Sequence, residues 1–336
     1  MCGSGVAASS FPCPRSGCCR DGATMSDAPV NGRVLVTGAS GLIGRQVLAA
    51  LGQRNVDLHA TARRAPATAH RVTWHGADLL DAGQRRDLLA AARPAAIIHL
   101  AWFTDPAHVY DAADNDAWSM ASFELIAAFR AAGGRRAVLA GSAAEYDWGP
   151  DGAGMGPCRE SGTQLAPASR YGRAKDALRR RLEATRELAG LSWAWARLFH
   201  IYGPGEHERR LVPAIIRALK AGDPALCTAG TQQRDFMDAR DAGAALAALV
   251  GAGAEGPINI GSGTTVSVAA VATELGRIAG RPELIRLGAL PMRAGEPPLL
   301  VPDTRRLNDE VGFRARHTLA DGLAHAWRWW NRPDMV

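Results

Sequence analysis

Apolar positions along the chain fall into short continuous runs separated by stretches of helical period. RVLVTG (33–38) is a β-branched run ending in glycine, and LIGRQVLAALGQR after it has helical spacing. VDLHATA (56–62) and VTWHG (72–76) read as a second and third strand, QRRDLLAAAR as a helix, and AAIIHLAW (95–102) as a continuous apolar strand. A long helix is predicted over 114–132, followed by the strand RAVLAGS (136–142). Strands that are apolar throughout and alternate with helices predict an α/β fold, a doubly wound parallel sheet covered on both faces.

The texture changes after about residue 145. YDWGPDGAGMGPCRESG (146–162) is a Gly/Pro-rich loop longer than most connections in compact domains. A helix containing Tyr171 follows, then the buried strand WAWARLF (193–199). From 203 onward, helices and short strands are interrupted by Gly and Pro, which predicts a smaller α/β lobe over the carboxyl ends of the sheet. HTLADGLAHAWRWW (317–330) closes the chain as an amphipathic helix whose tryptophans serve packing. The expected division is a leader over 1–30, a sheet domain over 31–200 with returning segments from later in the chain, and the lobe over 201–336.

The chain has 336 residues, 47% hydrophobic and 21% charged, which fits a soluble globular protein of two lobes. No apolar run reaches ~18 residues, so no membrane span is expected. The net charge of +6 is spread along the chain, which argues against a nucleic-acid surface and is compatible with anionic small molecules. Cys2, Cys13, Cys18 and Cys19 crowd into the first residues without the paired spacing of a zinc site or the apolar stretch of a signal peptide. That segment is expected to be a disordered leader, with Met25 a candidate for the true start, no metal site, and a cytoplasmic location.

TGASGLIG (37–44) places Gly38, Gly41 and Gly44 between the first strand and first helix. Glycine there permits a tight turn and close backbone approach to a pyrophosphate seated on the helix N-terminus. Gly38, Ser40, Gly41, Leu42, Ile43 and Gly44 are therefore candidate dinucleotide contacts, with Leu100 and Ala101 at the end of the fourth strand. The second strand ends in HATARRAP, with no acid at its tip and Arg63 and Arg64 just beyond. An arginine fork suits a 2′-phosphate, so NADP is favoured over NAD; two solvated surface arginines are the alternative. Asp78, followed by Leu79, is placed either to meet the adenine amine or to cap a helix.

Lysine occurs only at 175 and 220, in a chain that otherwise uses arginine. Lys175 lies one helical turn from Tyr171. A nearby ammonium favours the phenolate, and a flexible amine can reach a ribose hydroxyl. Ser142 ends a strand on the side where parallel sheets hold ligands, so its hydroxyl is placed to hold a carbonyl or to cap a turn.

TGASGLIG, AGSAAEY, YGRAK, YGPG, QQRDFMDARD and INIGSG, in that order, resemble the extended short-chain dehydrogenase/reductase family. The branch is that of the NAD-dependent epimerases, dehydratases and ketoreductases of nucleotide sugars, and the resemblance covers roughly residues 33 to 330. It implies a Rossmann-type domain with a C-terminal substrate lobe and a Ser142, Tyr171, Lys175 triad. It also implies a homodimer formed by helices 114–132 and 168–189. It places Arg234 of QQRDF and Arg293 of MRAGE on the substrate diphosphate, internal carboxylates being the alternative partners. Where the family's dehydratases carry an Asp-Glu pair, this chain has Ala143 and Ala144, and strand alternation should turn Glu145 elsewhere. His200 replaces the frequent asparagine before YGP, to contact substrate or to pack beneath the loop. Trp118 stands at the place of the family's helix asparagine, with Asn115 a turn earlier.

These readings converge on NADPH-dependent reduction of a nucleotide-linked 4-keto-6-deoxy sugar. A 4-epimerase holding NAD tightly is the enzymatic alternative, and a non-catalytic NADP-sensing protein the alternative of another class.

Overall fold

The computed structural model describes Met1 and residues 32–65, 71–149, 156–292 and 295–332. The N-terminal cysteines, Met25 and Arg293 lie outside the described residues.

The strands are β1 (Arg33–Thr37), β2 (Asp57–Ala62), β3 (Thr73–Gly76), β4 (Ala96–His99), β5 (Arg136–Ser142), β6 (Ser192–Leu198), β7 (His200–Tyr202), β8 (Ala225–Leu226), β9 (Gln233–Asp238), β10 (Gly256–Ile260), β11 (Thr265–Ser267), β12 (Ile285–Arg286) and β13 (Leu299–Leu300). The helices are α1 (Leu42–Leu51), α2 (Ala82–Ala92), α3 (Asp114–Ala131), α4 (Arg170–Ala184), α5 (Leu211–Ala221), α6 (Ala239–Gly251), α7 (Val268–Ala279), α8 (Arg305–Asp309) and α9 (Leu319–Trp330).

Seven strands form one parallel sheet in the order β3-β2-β1-β4-β5-β6-β10. Val34 and Val36 of β1 join a core with α1 and α6 on one face, while Leu35 joins Ile97, Ile126 and Leu139 on the other. Successive side chains of one strand thus enter two different buried layers, which is why the strands read as unbroken apolar runs. The chain moves outward from β1 to β3, then returns to β4 and proceeds the other way. That reversal opens a crevice between the carboxyl ends of β1 and β4, where open α/β sheets bind ligands.

A second sheet pairs β9 with β7, β11 and β13. A third apolar cluster unites α5, α7 and α9 beside it, and Trp327 and Trp330 of the closing helix pack there. Asp235 of β9 is fully buried and accepts from the backbone N–H groups of Ser262 (2.9 Å), Gly263 (2.7 Å) and Thr264 (3.2 Å). One carboxylate therefore ties QQRDF to INIGSG, so part of that motif pair is scaffold.

Candidate active site

The β1–α1 turn forms the floor of the crevice. Gly38 has φ +63°, and a Cβ there would stand 2.7 Å from the Ala101 nitrogen. A Cβ on Gly44 would stand 2.2 Å from the Gly38 carbonyl oxygen. Neither position has room for a side chain, so the turn is held against both α1 and the loop after β4. Helix α1 begins at Gly41 with no side-chain cap and no acidic residue in its first turn. Its free N–H groups and positive dipole end face the crevice, the arrangement that takes a pyrophosphate. The residues present fit a dinucleotide.

A cleft of about 1160 Å³ runs from this turn to the second sheet, larger than the usual site for one drug-sized ligand. Gly38, Ser40, Gly41, Leu42, Ile43, Gly44, Asp78, Leu79, Leu100 and Ala101 all line it. Arg63 lines it too, whereas Arg64 is exposed and does not. Asp78 is not a helix cap: Asp81 caps α2 through Gln84 N, and Asp78 accepts from Leu80 N at 3.0 Å.

Ser142, Tyr171 and Lys175 come together at the carboxyl end of β5. Ser142 also caps the short turn Ala143–Glu145, so its turn-capping and cleft-facing positions coexist. Its hydroxyl lies beside the Tyr171 phenol and favours the phenolate. Burial pushes the Tyr171 phenol up to about 12, the Ser142 hydroxyl opposing. This departs from the expectation that the lysine would make the phenol acidic. The Lys175 ammonium lies 5.9 Å from the Tyr171 ring centre, donates to Ala140 O at 2.7 Å, and rests 3.5 Å from the centre of the Trp102 ring. Desolvation of the phenolate outweighs whatever it supplies there. The same burial lowers Lys175 to about 7, with Glu145 opposing.

Ala143 and Ala144 line the cleft and leave no carboxylate at their positions. Glu145 points away, as expected, but for a different reason: the chain has left the strand and turned. Its carboxylate accepts from Ser142 N (2.7 Å), Trp195 Nε1 (2.9 Å) and Arg197 Nε (2.9 Å).

At the far end, His200 lines the cleft with Nδ1 buried and without a hydrogen-bond partner among the described residues. Burial, with Arg234 and Arg210 adding to it, lowers its pKa to about 3. Arg234 reaches the cleft but is paired with Glu296 at 2.8 Å, the internal-carboxylate alternative. Trp118 lines the cleft, while Asn115 is buried behind it.

Sequence reasoning missed Trp102, Glu206 and Arg210. Glu206 lines the cleft with Oε2 unpartnered among the described residues, and burial raises its carboxyl to about 8 against the pull of Arg210. Arg210 stands at the start of α5, in electrostatic reach of Tyr171, His200 and Glu206. The only signal for Glu206 and Arg210 was a charged cluster, GEHERR, opening a helix otherwise apolar on one face.

A phosphate-cradling turn at the switch point of a parallel sheet, with a serine, tyrosine and lysine at its carboxyl edge, defines a dinucleotide-dependent oxidoreductase class. The family model for the NAD dependent epimerase/dehydratase family matches residues 34–261, and the chain belongs to that family. It is 28% identical over 308 residues to dTDP-6-deoxy-L-talose 4-dehydrogenase (NAD(P)(+)) of Kitasatospora kifunensis, covering 88% of this chain and 94% of the relative. It is 28% identical over 332 residues to UDP-glucose 4-epimerase of Azospirillum brasilense, covering 89% and 92%. The structure of UDP-glucose 4-epimerase from Thermus thermophilus, in complex with NAD, shares the fold with a TM-score of 0.79. It is 22% identical and covers 90% of this chain and 99% of that chain.

Proposed function

We propose that this protein is an NADPH-dependent reductase of a nucleotide-linked 4-keto-6-deoxy sugar, acting in the cytoplasm as a homodimer. The single observation that carries the reading is the meeting of Ser142, Tyr171 and Lys175 in the cleft of the glycine turn, with Tyr171 a neutral phenol. Reduction of a ketone needs a loaded acid at the start; oxidation of an alcohol needs a phenolate. The alanines at 143 and 144 leave elimination of water without its carboxylates. The kinship with a dTDP-sugar 4-dehydrogenase supports the substrate class.

When bound, the reduced cofactor supplies a hydride to the carbonyl carbon. The α1 N-terminus and the glycine turn bind its pyrophosphate, and Arg63, just beyond a β2 with no acid at its carboxyl tip, favours a 2′-phosphate. Ser142 donates to the substrate carbonyl oxygen and steadies the charge that grows there. Tyr171 gives its proton to the same oxygen, completing the alcohol. Lys175 supplies positive charge beside the phenol as that proton leaves and orients a ribose hydroxyl. The second sheet and its helices form the substrate lobe, with His200, Arg210 and Arg234 toward the sugar nucleotide. The outer faces of α3 and α4, where Met120 is exposed one turn along α3 from the Asp116–Arg170 ion pair, are the proposed dimer contact.

The test is NADPH consumption with a panel of dTDP- and UDP-linked 4-keto-6-deoxy sugars. Tyr171→Phe should abolish turnover and leave NADPH affinity near wild type; an active variant removes the mechanism. Turnover of a UDP-hexose by protein purified with NAD already bound would establish the epimerase instead. NADPH binding with no turnover across the panel would point to a sensor.

A further inference from the structure

Lys175 is only 3% exposed, and its charge has few partners. An ammonium has three N–H donors. One goes to Ala140 O of β5 at 2.7 Å. No carboxylate pairs with Lys175 among the described residues; Glu145, the nearest acid in effect, is already engaged by Arg197, Trp195 and the Ser142 amide. His99 of β4 cannot accept, because its two ring nitrogens are taken by Thr37 (2.7 Å) and Ser122 of α3 (2.8 Å), and burial keeps it neutral. Tyr171, on the same helix, presents its ring at 5.9 Å. The remaining partner is the indole face of Trp102, 3.5 Å away, and indole is the ring that attracts a cation best.

Trp102 is itself fixed. Its Nε1 donates to Asn115 Oδ1 at 2.8 Å. Asn115 is 0% exposed and spends its own N–H groups on Val109 O (2.7 Å) and Ala112 O (3.0 Å). The chain leading into Trp102 is anchored as well, since Leu100 N and Ala101 N both donate to Thr37 Oγ1. On its edge Trp102 meets Tyr171, with ring centres 6.4 Å apart at 78°. One ring thus touches both members of the Tyr-Lys pair.

We infer that Trp102, pinned by Asn115, is a positioning residue whose ring face favours the charged form of the Lys175 amine and fixes it one turn from Tyr171. The inference rests on the reading of Lys175 given under Proposed function, and its test separates the two. Remove the ring, and the ammonium keeps one carbonyl in a dry pocket; its proton is then held less tightly.

The chain's having lysine only at 175 and 220 makes this directly measurable. Protein grown with lysine labelled at Cε gives two lysine signals in a carbon NMR spectrum, assigned with Lys220→Arg. Lys220, exposed and bonded to Trp330 O at 3.1 Å, is the internal reference. In wild type the Lys175 signal should titrate near neutrality. In Trp102→Leu its proton affinity should fall about tenfold or more, while Trp102→Phe, which keeps a ring face, stays near wild type. Turnover of the ketosugar should follow: Trp102→Leu is slower near neutral pH, and its deficit shrinks as pH falls and the amine recharges. Should Trp102→Leu fail to fold, global replacement of the nine tryptophans by 5-fluorotryptophan weakens the ring face at nearly constant shape. The Lys175 midpoint should then drop while that of Lys220 holds. A Lys175 midpoint unchanged in the leucine variant or the fluorinated protein overturns the inference. A midpoint that moves while turnover does not upholds the ring contact and removes Lys175 from the reaction.

Discussion

Replacing Glu145 by Gln removes one charge and almost no volume. Glu145 and Arg197 are both 0% exposed, so each depends on the other rather than on water. Arg197 has little else: its Nη1 lies 3.4 Å from the Tyr146 hydroxyl, and its Nη2 has no partner among the described residues. A glutamine would leave that guanidinium buried without its counter-charge and turn one amide donor toward groups that are themselves donors. Breaking a buried pair from one side costs about 3–5 kcal/mol. With an unfolding entropy of roughly 2.1 cal/mol/K per residue over ~300 residues, that lowers Tm by about 5–8 °C. Removing both charges, as in Glu145→Leu with Arg197→Met, should cost much less than the sum of the single changes. The same carboxylate holds Ser142 N at 2.7 Å, so Glu145→Gln should also lower kcat while leaving the KM for NADPH nearly unchanged. Calorimetric melting of Glu145→Gln, of Glu145→Leu and Arg197→Met singly, and of the double variant near neutral pH is the assay. A glutamine variant melting within about 1 °C of wild type, or a double variant as unstable as the two single changes added, would refute the reasoning.

Gly44→Ala forces a Cβ to within 2.2 Å of the Gly38 carbonyl oxygen, and backbone cannot yield as a side chain can. It should cost about 1–3 kcal/mol and weaken NADPH binding sharply; wild-type affinity by calorimetric titration would show that the turn is not the cradle. Arg63→Ser should raise the KM for NADPH roughly tenfold or more and that for NADH little, whereas Arg64→Ser, outside the cleft, should do neither. Equal effects on both cofactors would remove the 2′-phosphate assignment. Glu206 has its carboxyl raised to about 8 in the fold from an ordinary 4.5, so the stability that its neutral form contributes is complete below 4.5 and is lost as pH rises through 8. Glu206→Gln, which cannot ionise, should therefore gain Tm over wild type progressively across that window; a gap independent of pH would contradict the burial argument.

The sheet was legible because burial on both faces leaves a strong trace: RVLVT and RAVLAGS are unbroken apolar runs between polar ends, and the structure makes them β1 and β5. The glycine turn was legible because its backbone leaves no room for any other residue. What escaped has a common cause. Trp102 and Asn115 are joined by a hydrogen bond between residues 13 apart, in a loop and a helix with no shared period, so neither stands out from ordinary packing. The Arg234–Glu296 pair spans 62 residues, and nothing local to QQRDF says that its arginine already has a carboxylate. The acidity of Tyr171 was misjudged for a related reason. Spacing gives the distance to Lys175 along the helix, but the pKa depends on how much water the fold excludes.

That exclusion bears on the protonation states from which the chemistry starts. Burial is the largest cause of the shift in each of Tyr171, Lys175, His200 and Glu206, and in each it favours the neutral form. A dry cleft of this kind strengthens every charge interaction that remains. It also means that a group starts the cycle ionised only where a specific partner holds it so. Tyr171 has a hydroxyl neighbour in Ser142 and begins protonated; Lys175 has an indole face and one carbonyl and sits near balance. A proton donor at rest beside a half-held cation is arranged to give up its proton to an oxygen gaining negative charge. Reduction leaves a phenolate behind and oxidation starts from one, so both directions meet the same desolvated anion, and a charged Lys175 lowers its cost in both. The cleft therefore sets the pH at which the pair is loaded for either direction, and the direction taken follows from the supply of reduced or oxidised cofactor.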